Sequence, residues 1–186
     1  MNKKKQKQTK GFTLIELLIV IAILAILATT VTLVLNPAEL LRQGRDSTRI
    51  SDMNTINSAL ALYLADVASP SFSGEQRCTV SGGTSPFTTA CDTTTSSTAV
   101  SGAGWVDVDL TVVSGGSPLS RLPIDPVNST TYFYGFSTDS SALTYEINAH
   151  MESERYKNGG DSDVESTDGG DEAAWYEVGS ASGLAL

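Results

Sequence analysis

One carboxylate, Glu16, stands in residues 12–35, a 24-residue stretch with no other ionisable side chain. A charge in hydrocarbon costs about 3 kcal/mol near a helix centre and less near an end, so an acid retained there is a functional candidate. The alternative is an interfacial acid that snorkels to water. Two further groups could do chemistry. Cys78 and Cys91 could close a 14-residue loop. Residues 158–172 gather Asp161, Asp163, Glu165, Asp168, Asp171 and Glu172 among glycines. Asp161-x-Asp163-x-Glu165, followed by Glu172, approaches the spacing of a calcium loop, in which oxygens at alternate positions and a late bidentate acid hold the ion. Ser166 stands where such a loop needs glycine, and no flanking helices are evident. The other reading of this loop is a solvated acidic stretch that keeps its domain soluble.

Several chemistries are excluded. There is no C-x-x-C and only one histidine, His150, so a zinc site would lack ligands. No G-x-S-x-G occurs, and a lone histidine gives no credible triad, so the chain does not read as an enzyme. The net charge is −9, and five of the twelve Lys and Arg lie in residues 1–11. Without that segment, seven basic side chains face 21 acidic ones. Phosphate contacts need Lys and Arg, so direct nucleic-acid binding is not expected.

The element that must position Glu16 is a helix. At about 1.5 Å per residue, 24 residues span roughly 36 Å, against a bilayer core of roughly 30 Å. Lys3, Lys4, Lys5, Lys7 and Lys10 precede the run, and Glu39, Arg42, Arg45 and Asp46 follow it. That bias holds the N-terminus in the cytoplasm and sends the remainder across the membrane. A secretory signal peptide would have a shorter apolar core, about 7–15 residues, and a small-residue cleavage site. Neither is present. Beyond the membrane an oxidising compartment permits a Cys78–Cys91 disulfide, worth about 3 kcal/mol in the loop-entropy model. The alternative is two unpaired thiols.

Lys10-Gly11-Phe12-Thr13-Leu14-Ile15-Glu16-Leu17 resembles the N-terminal signal of type IV pilins and type II secretion pseudopilins. The resemblance implies that a prepilin peptidase removes the leader, residues 1–11, by cutting after Gly11, and that it methylates the new amine of Phe12. It places the family's assembly glutamate at Glu16. It also implies a self-associating filament subunit, stored in the cytoplasmic membrane and handled by pilus or secretion machinery. Major pseudopilins carry calcium in a C-terminal loop, and the acidic loop 158–172 lies in a similar place. The competing reading is an unprocessed single-pass membrane protein with an extracytoplasmic ligand-binding head.

The rest of the chain supplies the head. Residues 12–36 read as the membrane or filament-core half of one long helix. Pro37 introduces a kink, and residues 37–67 continue as an amphipathic half, with Ile50, Met53, Ile56, Leu60, Leu64 and Val67 in one stripe. Asp46 can pair with Arg42 or Arg49 on the wet side of that helix. Residues 68–186 form the head. Residues 68–104, rich in Ser, Thr and Gly, predict an irregular loop pinned at 78–91. Residues 105–112 alternate apolar and acidic, which suits a strand or a short surface helix. Leu122-Pro123-Ile124-Asp125-Pro126 reads as a rigid connector. Residues 131–136 and 143–149 predict an antiparallel hairpin. The connector and these strands also resemble the heads of major pseudopilins. The expected fold is α+β, a small antiparallel sheet packed on the second half of the helix.

Overall fold

The computed structural model describes residues 11–87 and 90–186. Most of the leader, including its five lysines, lies outside these residues. The chain divides into two compact units at Leu40 and Leu41.

The first unit is built on helix α1, Leu14–Leu35. Its Leu14–Thr32 stretch has a mean hydropathy of 2.8, and none of it is buried. Apolar side chains surround the helix on every side, as a membrane span or the core of a helix assembly requires. Its threonines do not break this surface. Thr29 donates to Ala25 O and Ile26 O, Thr30 to Ile26 O and Leu27 O, and Thr32 to Ala28 O and Thr29 O, all at 2.8–3.1 Å. Hydroxyls bonded to the preceding turn need no water. The expected single kinked helix is instead split. Asn36 takes a left-handed conformation (φ 39°, ψ 76°), which ends α1. Pro37, which has no N–H to lose, opens helix α2, Pro37–Asp66. The break therefore lies one residue before the proline.

In the second unit α2 packs on a five-stranded sheet in the order β2-β1-β3-β4-β5. The strands are β1 Gln76–Cys78, β2 Thr93–Thr94, β3 Tyr134–Asp139, β4 Thr144–Ala149 and β5 Tyr176–Gly179. The hairpin expected from the alternation is β3–β4, with Phe136 opposite Ile147. Its turn is held by Asp139, whose Oδ1 accepts the Ser141 and Ala142 N–H groups at 2.7 and 3.0 Å. The stretch read as irregular supplies β1 and β2, which pair in parallel, so the sheet is antiparallel except at that edge. Cys78 and Cys91 are joined as a disulfide.

The helix stripe meets the sheet as its periodicity requires. Met53, Ile56, Ala59, Leu60 and Tyr63 are buried against Tyr134, Phe136, Tyr145, Ile147 and Ala149. Ile50, Leu64 and Val67 are only partly covered. Residues 105–112 form neither a strand nor a surface helix. They thread the interior, with Trp105, Val106, Val108 and Leu110 buried, and only Leu110–Val112 is helical, as a single 3₁₀ turn. The Trp105 indole N–H donates to Pro123 O at 2.8 Å, which fixes the rigid connector against the core.

The wet-side ion pair expected on α2 is instead buried inside this unit. Arg49 is fully inside. Its Nε and Nη2 bond Asp125 at 2.6 and 3.0 Å, and its Nη1 reaches Asp46 at 2.7 Å and Glu152 at 3.4 Å. Its guanidinium carbon lies 5.1 Å from the centre of the Tyr132 ring. Asp46 also accepts the Glu152 and Ser153 N–H groups at 2.9 and 2.8 Å, and Asp125 those of Val127 and Asn128 at 2.7 and 3.0 Å. Arg45 forks onto Glu152 from the rim, which holds the Glu152 carboxyl below the usual carboxylate range. Removing the shared cation would strand two buried carboxylates. Arg49→Met is expected to destabilise the folded head by about 3–5 kcal/mol. Arg49→Lys should recover only part of this, because an ammonium cannot make the two-pronged contact to Asp125. Urea denaturation of the detergent-solubilised chain, followed by tryptophan fluorescence, checks both.

Candidate processing and assembly site

The backbone is extended at Thr13 (φ −81°, ψ 152°), which is the N-cap of α1. Gly11 and Phe12 precede the helix, and Phe12 is 88 % exposed. A Cβ built on Gly11 would meet no atom within 4 Å. Among the described residues nothing covers the Gly11–Phe12 peptide bond.

Glu16 occupies the third position of the helix and closes a capping box. Its Oε2 accepts the Thr13 N–H and the Thr13 hydroxyl, each at 2.8 Å, while its own N–H donates to Thr13 Oγ1 at 3.3 Å. Two N–H groups that a helix start leaves orphaned are satisfied in this way. A carboxylate here also faces the positive end of the helix dipole. Among the described residues Oε1 of Glu16 has no partner. Sequence reading placed Glu16 near the helix start but did not find Thr13, although Thr-x-x-Glu is a capping-box pattern and was legible.

Residues 6–32 match the family model described as the prokaryotic N-terminal methylation motif. That motif is typical of type IV pilins and pseudopilins, and here it leads into the apolar helix α1. The chain carries this motif at its N-terminus, on an α+β architecture of two helices and a sheet. No curated protein and no solved structure matches the chain.

The six loop acids are dispersed. Glu165 is buried and accepts the Met151 N–H at 2.7 Å and the Asn158 N–H at 2.8 Å, with His150 Nδ1 3.0 Å away. Asp163 takes the Ser166 hydroxyl and the Ser166 and Gly159 N–H groups, which lowers its carboxyl to about 2. Asp168 accepts the Gly170 and Glu177 N–H groups at 3.0 and 2.7 Å. Asp161, Asp171 and Glu172 lie at the surface. Among the described residues no group of three or more His, Cys, Asp or Glu side chains is arranged to hold a metal ion.

Sequence reading missed the polar residues of the strands. In Thr144–Ala149 and Tyr176–Gly179 the alternation sends Glu146, Asn148 and Glu177 away from the core, which reads as a wet face. All three are buried instead, under the acidic loop and the last residues of the chain. Burial raises the Glu146 and Glu177 carboxyls well above the usual carboxylate range. In the folded chain each therefore binds a proton more tightly than it does when unfolded. Stability from this pair is full below the ordinary carboxylate pKa and is lost as pH rises through that range toward neutrality. Glu152 and Asp163, shifted downward, lose their contribution only on the acid side. With EDTA present, the urea midpoint of the solubilised chain is expected to fall between about pH 5 and about pH 8, and Glu177→Gln should flatten that slope.

Proposed function

We propose that this chain is the precursor of a pilin-like filament subunit. The observation that carries the reading is the methylation motif over residues 6–32, leading into a helix whose one ionisable side chain is Glu16. In this reading a prepilin peptidase cuts after Gly11 on the cytoplasmic face and methylates the Phe12 amine. Helix α1 then holds the mature protein in the cytoplasmic membrane, with the disulfide-bonded head outside. During assembly the same helix leaves lipid and packs among the α1 helices of other copies. Its uniform apolar surface suits both surroundings, and it lacks any feature that would fix one helix against the next. Glu16 supplies that feature by meeting the methylated Phe12 amine of a neighbouring copy, a directional ion pair inside an apolar bundle. The peptidase and the motor are separate proteins, and this chain performs no chemistry of its own.

Within this class the connector Leu122-Pro123-Ile124-Asp125-Pro126 and the β3–β4 hairpin favour a pseudopilin-type head. The filament is then a secretion pseudopilus or a related surface fibre. The rival, an unprocessed single-pass protein, retains residues 1–11. Intact-mass measurement of the membrane-extracted protein is expected to show loss of residues 1–11 and the gain of one methyl group on Phe12. Glu16→Ala should be cleaved and methylated normally yet yield no filaments in sheared or membrane-extracted material. Wild-type levels of filament from that variant would overturn the assembly role of Glu16.

A further inference from the structure

Side chains of β4 and β5 alternate between two faces. Tyr145, Ile147, Ala149 and Val178 pack on the core beneath α2. Glu146, Asn148 and Glu177 lie on the opposite face, where Asn148 is the direct cross-strand partner of Glu177 and Glu146 that of Gly179. Glu146 and Glu177 are therefore diagonal neighbours on one face, within reach of each other. Both are closed off from water, with exposures of 1 % and 2 %. Their carboxyls hydrogen-bond each other. Carboxylate oxygens only accept, so this contact needs a proton on one of the two.

The cover over this pair is bonded directly to it. Oε2 of Glu177 accepts the Glu172 N–H at 3.0 Å, and Oε2 of Glu146 accepts the Leu186 N–H at 3.0 Å. Gly170 lies so close that a side chain there would overlap the Glu177 carboxyl. Glu146 also accepts Asn148 Nδ2 at 2.7 Å. Among the described residues the charged groups nearest the pair are acids. Asp168 accepts the Glu177 N–H at 2.7 Å, Asp171 acts on Glu146, and the Glu172 side chain lies at the surface. With one shared proton the pair carries a single charge, met by N–H groups of Asn148, Glu172 and Leu186. Without it two anions touch in a space shut off from water, and three N–H groups do not offset that cost.

We propose that Glu146 and Glu177 form a proton-operated latch: one shared proton holds residues 168–172 and 184–186 shut over β4 and β5, and its loss releases them. These two segments are the parts that can swing away, because each grips the pair through one N–H, whereas β4 and β5 are tied into the sheet. Burial holds both carboxyls above the usual carboxylate range. The closed form therefore binds the proton more tightly than the open form, so the cover is shut in acid and opens as pH rises through neutrality. Opening also takes Asp168 from the Glu177 N–H, which leaves β5, the outermost strand, with an uncapped donor on its edge.

The test is amide hydrogen exchange of the full chain in detergent micelles with EDTA, read by mass spectrometry from about pH 5 to about pH 9 and corrected for the intrinsic rate at each pH. Protection of peptides covering residues 168–175 and 180–186 is expected to fall by about tenfold per pH unit above neutrality, one proton released per opening, while peptides from α2 and β3 stay protected. Glu177→Gln, whose amide replaces the protonated acid and donates to Glu146, should keep the cover shut at about pH 9. Gly170→Ala cannot coexist with the carboxyl in its bonded position and should leave the cover open even at about pH 5. Protection of α2 in the same samples reports that each variant is folded, and the parent's own pH profile decides the matter if one is not. Cover protection that does not change with pH in the parent would overturn the proposal. So would equal loss in the cover and in α2, which would assign the pair to global stability alone.

Discussion

The head depends on a single buried guanidinium. Arg49 takes one carboxylate from its own helix, Asp46, one from the connector, Asp125, and a weaker contact from Glu152 beyond β4. Each partner is also bonded into the fold. Asp46 holds two N–H groups of the segment after β4, and Asp125 holds two of the turn after the connector. Three segments far apart in sequence therefore meet at one cation. Burying ions is costly, and apolar replacement of a whole cluster is often neutral or favourable, so such a network is weak evidence of extra stability. Its stronger effect is geometric. Apolar packing alone tolerates small shifts of α2 across the sheet, whereas the planar fork on Asp125 fits one placement.

The two faces of the sheet are completed in opposite ways. Toward α2 the burial is largely apolar, and two tyrosine hydroxyls reach polar groups of the helix. The Tyr134 hydroxyl donates to Asp52 at 2.8 Å and the Tyr145 hydroxyl to Asn57 Oδ1 at 2.7 Å. On the far face, near one end of the sheet, Cys78, Phe87, Phe133 and Trp175 form a second small apolar cluster, which the disulfide closes. Beside it lie Glu146, Asn148 and Glu177, sealed in without a positive side chain. An acidic chain can afford one well-compensated buried cluster of charge more readily than two. The Arg49 side meets this condition with paired charges, and the other side with carboxyls whose burial makes them hold protons more tightly.

The ease of reading this sequence followed the distance over which its signals act. The motif at residues 10–17, the apolar helix, the stripe on α2 and the β3–β4 hairpin are all local, and each was legible. The disulfide was legible as a possibility because compartment and spacing allowed it. What was missed depends on contacts between distant segments. β1 and β2 are three and two residues long, too short for any periodicity, and they exist because β3 offers an edge. Trp105, Val106, Val108 and Leu110 look amphipathic, yet all four are buried, and the Asp107 side chain between them is buried as well, 3.6 Å from Arg77. Arg49, expected on the wet side of α2, is buried, and no local pattern marks Asp125, Glu146 or Glu177 as buried, because what covers each comes from a distant segment. The helix break at Asn36 was misplaced by one residue because proline draws attention, while the left-handed residue before it ends the helix.

The capping box gives the proposed assembly step a more definite form. Cutting the Gly11–Phe12 bond leaves the Phe12–Thr13 amide untouched, so Thr13 keeps both of its bonds to Oε2 of Glu16. The carboxylate is already oriented before any neighbour arrives, which removes part of the entropy cost of an intermolecular ion pair. In the proposed reading Oε1 is left for a second donor, the amine that processing would create at Phe12. An acid held in this way does not have to choose between stabilising its own helix and joining another, because its two oxygens separate those tasks. The same arrangement would let a carboxylate be tolerated at the edge of such a helix in a membrane: it lies at the N-terminal turn, where unpaired N–H groups need an acceptor, and not in the uniformly apolar turns that follow.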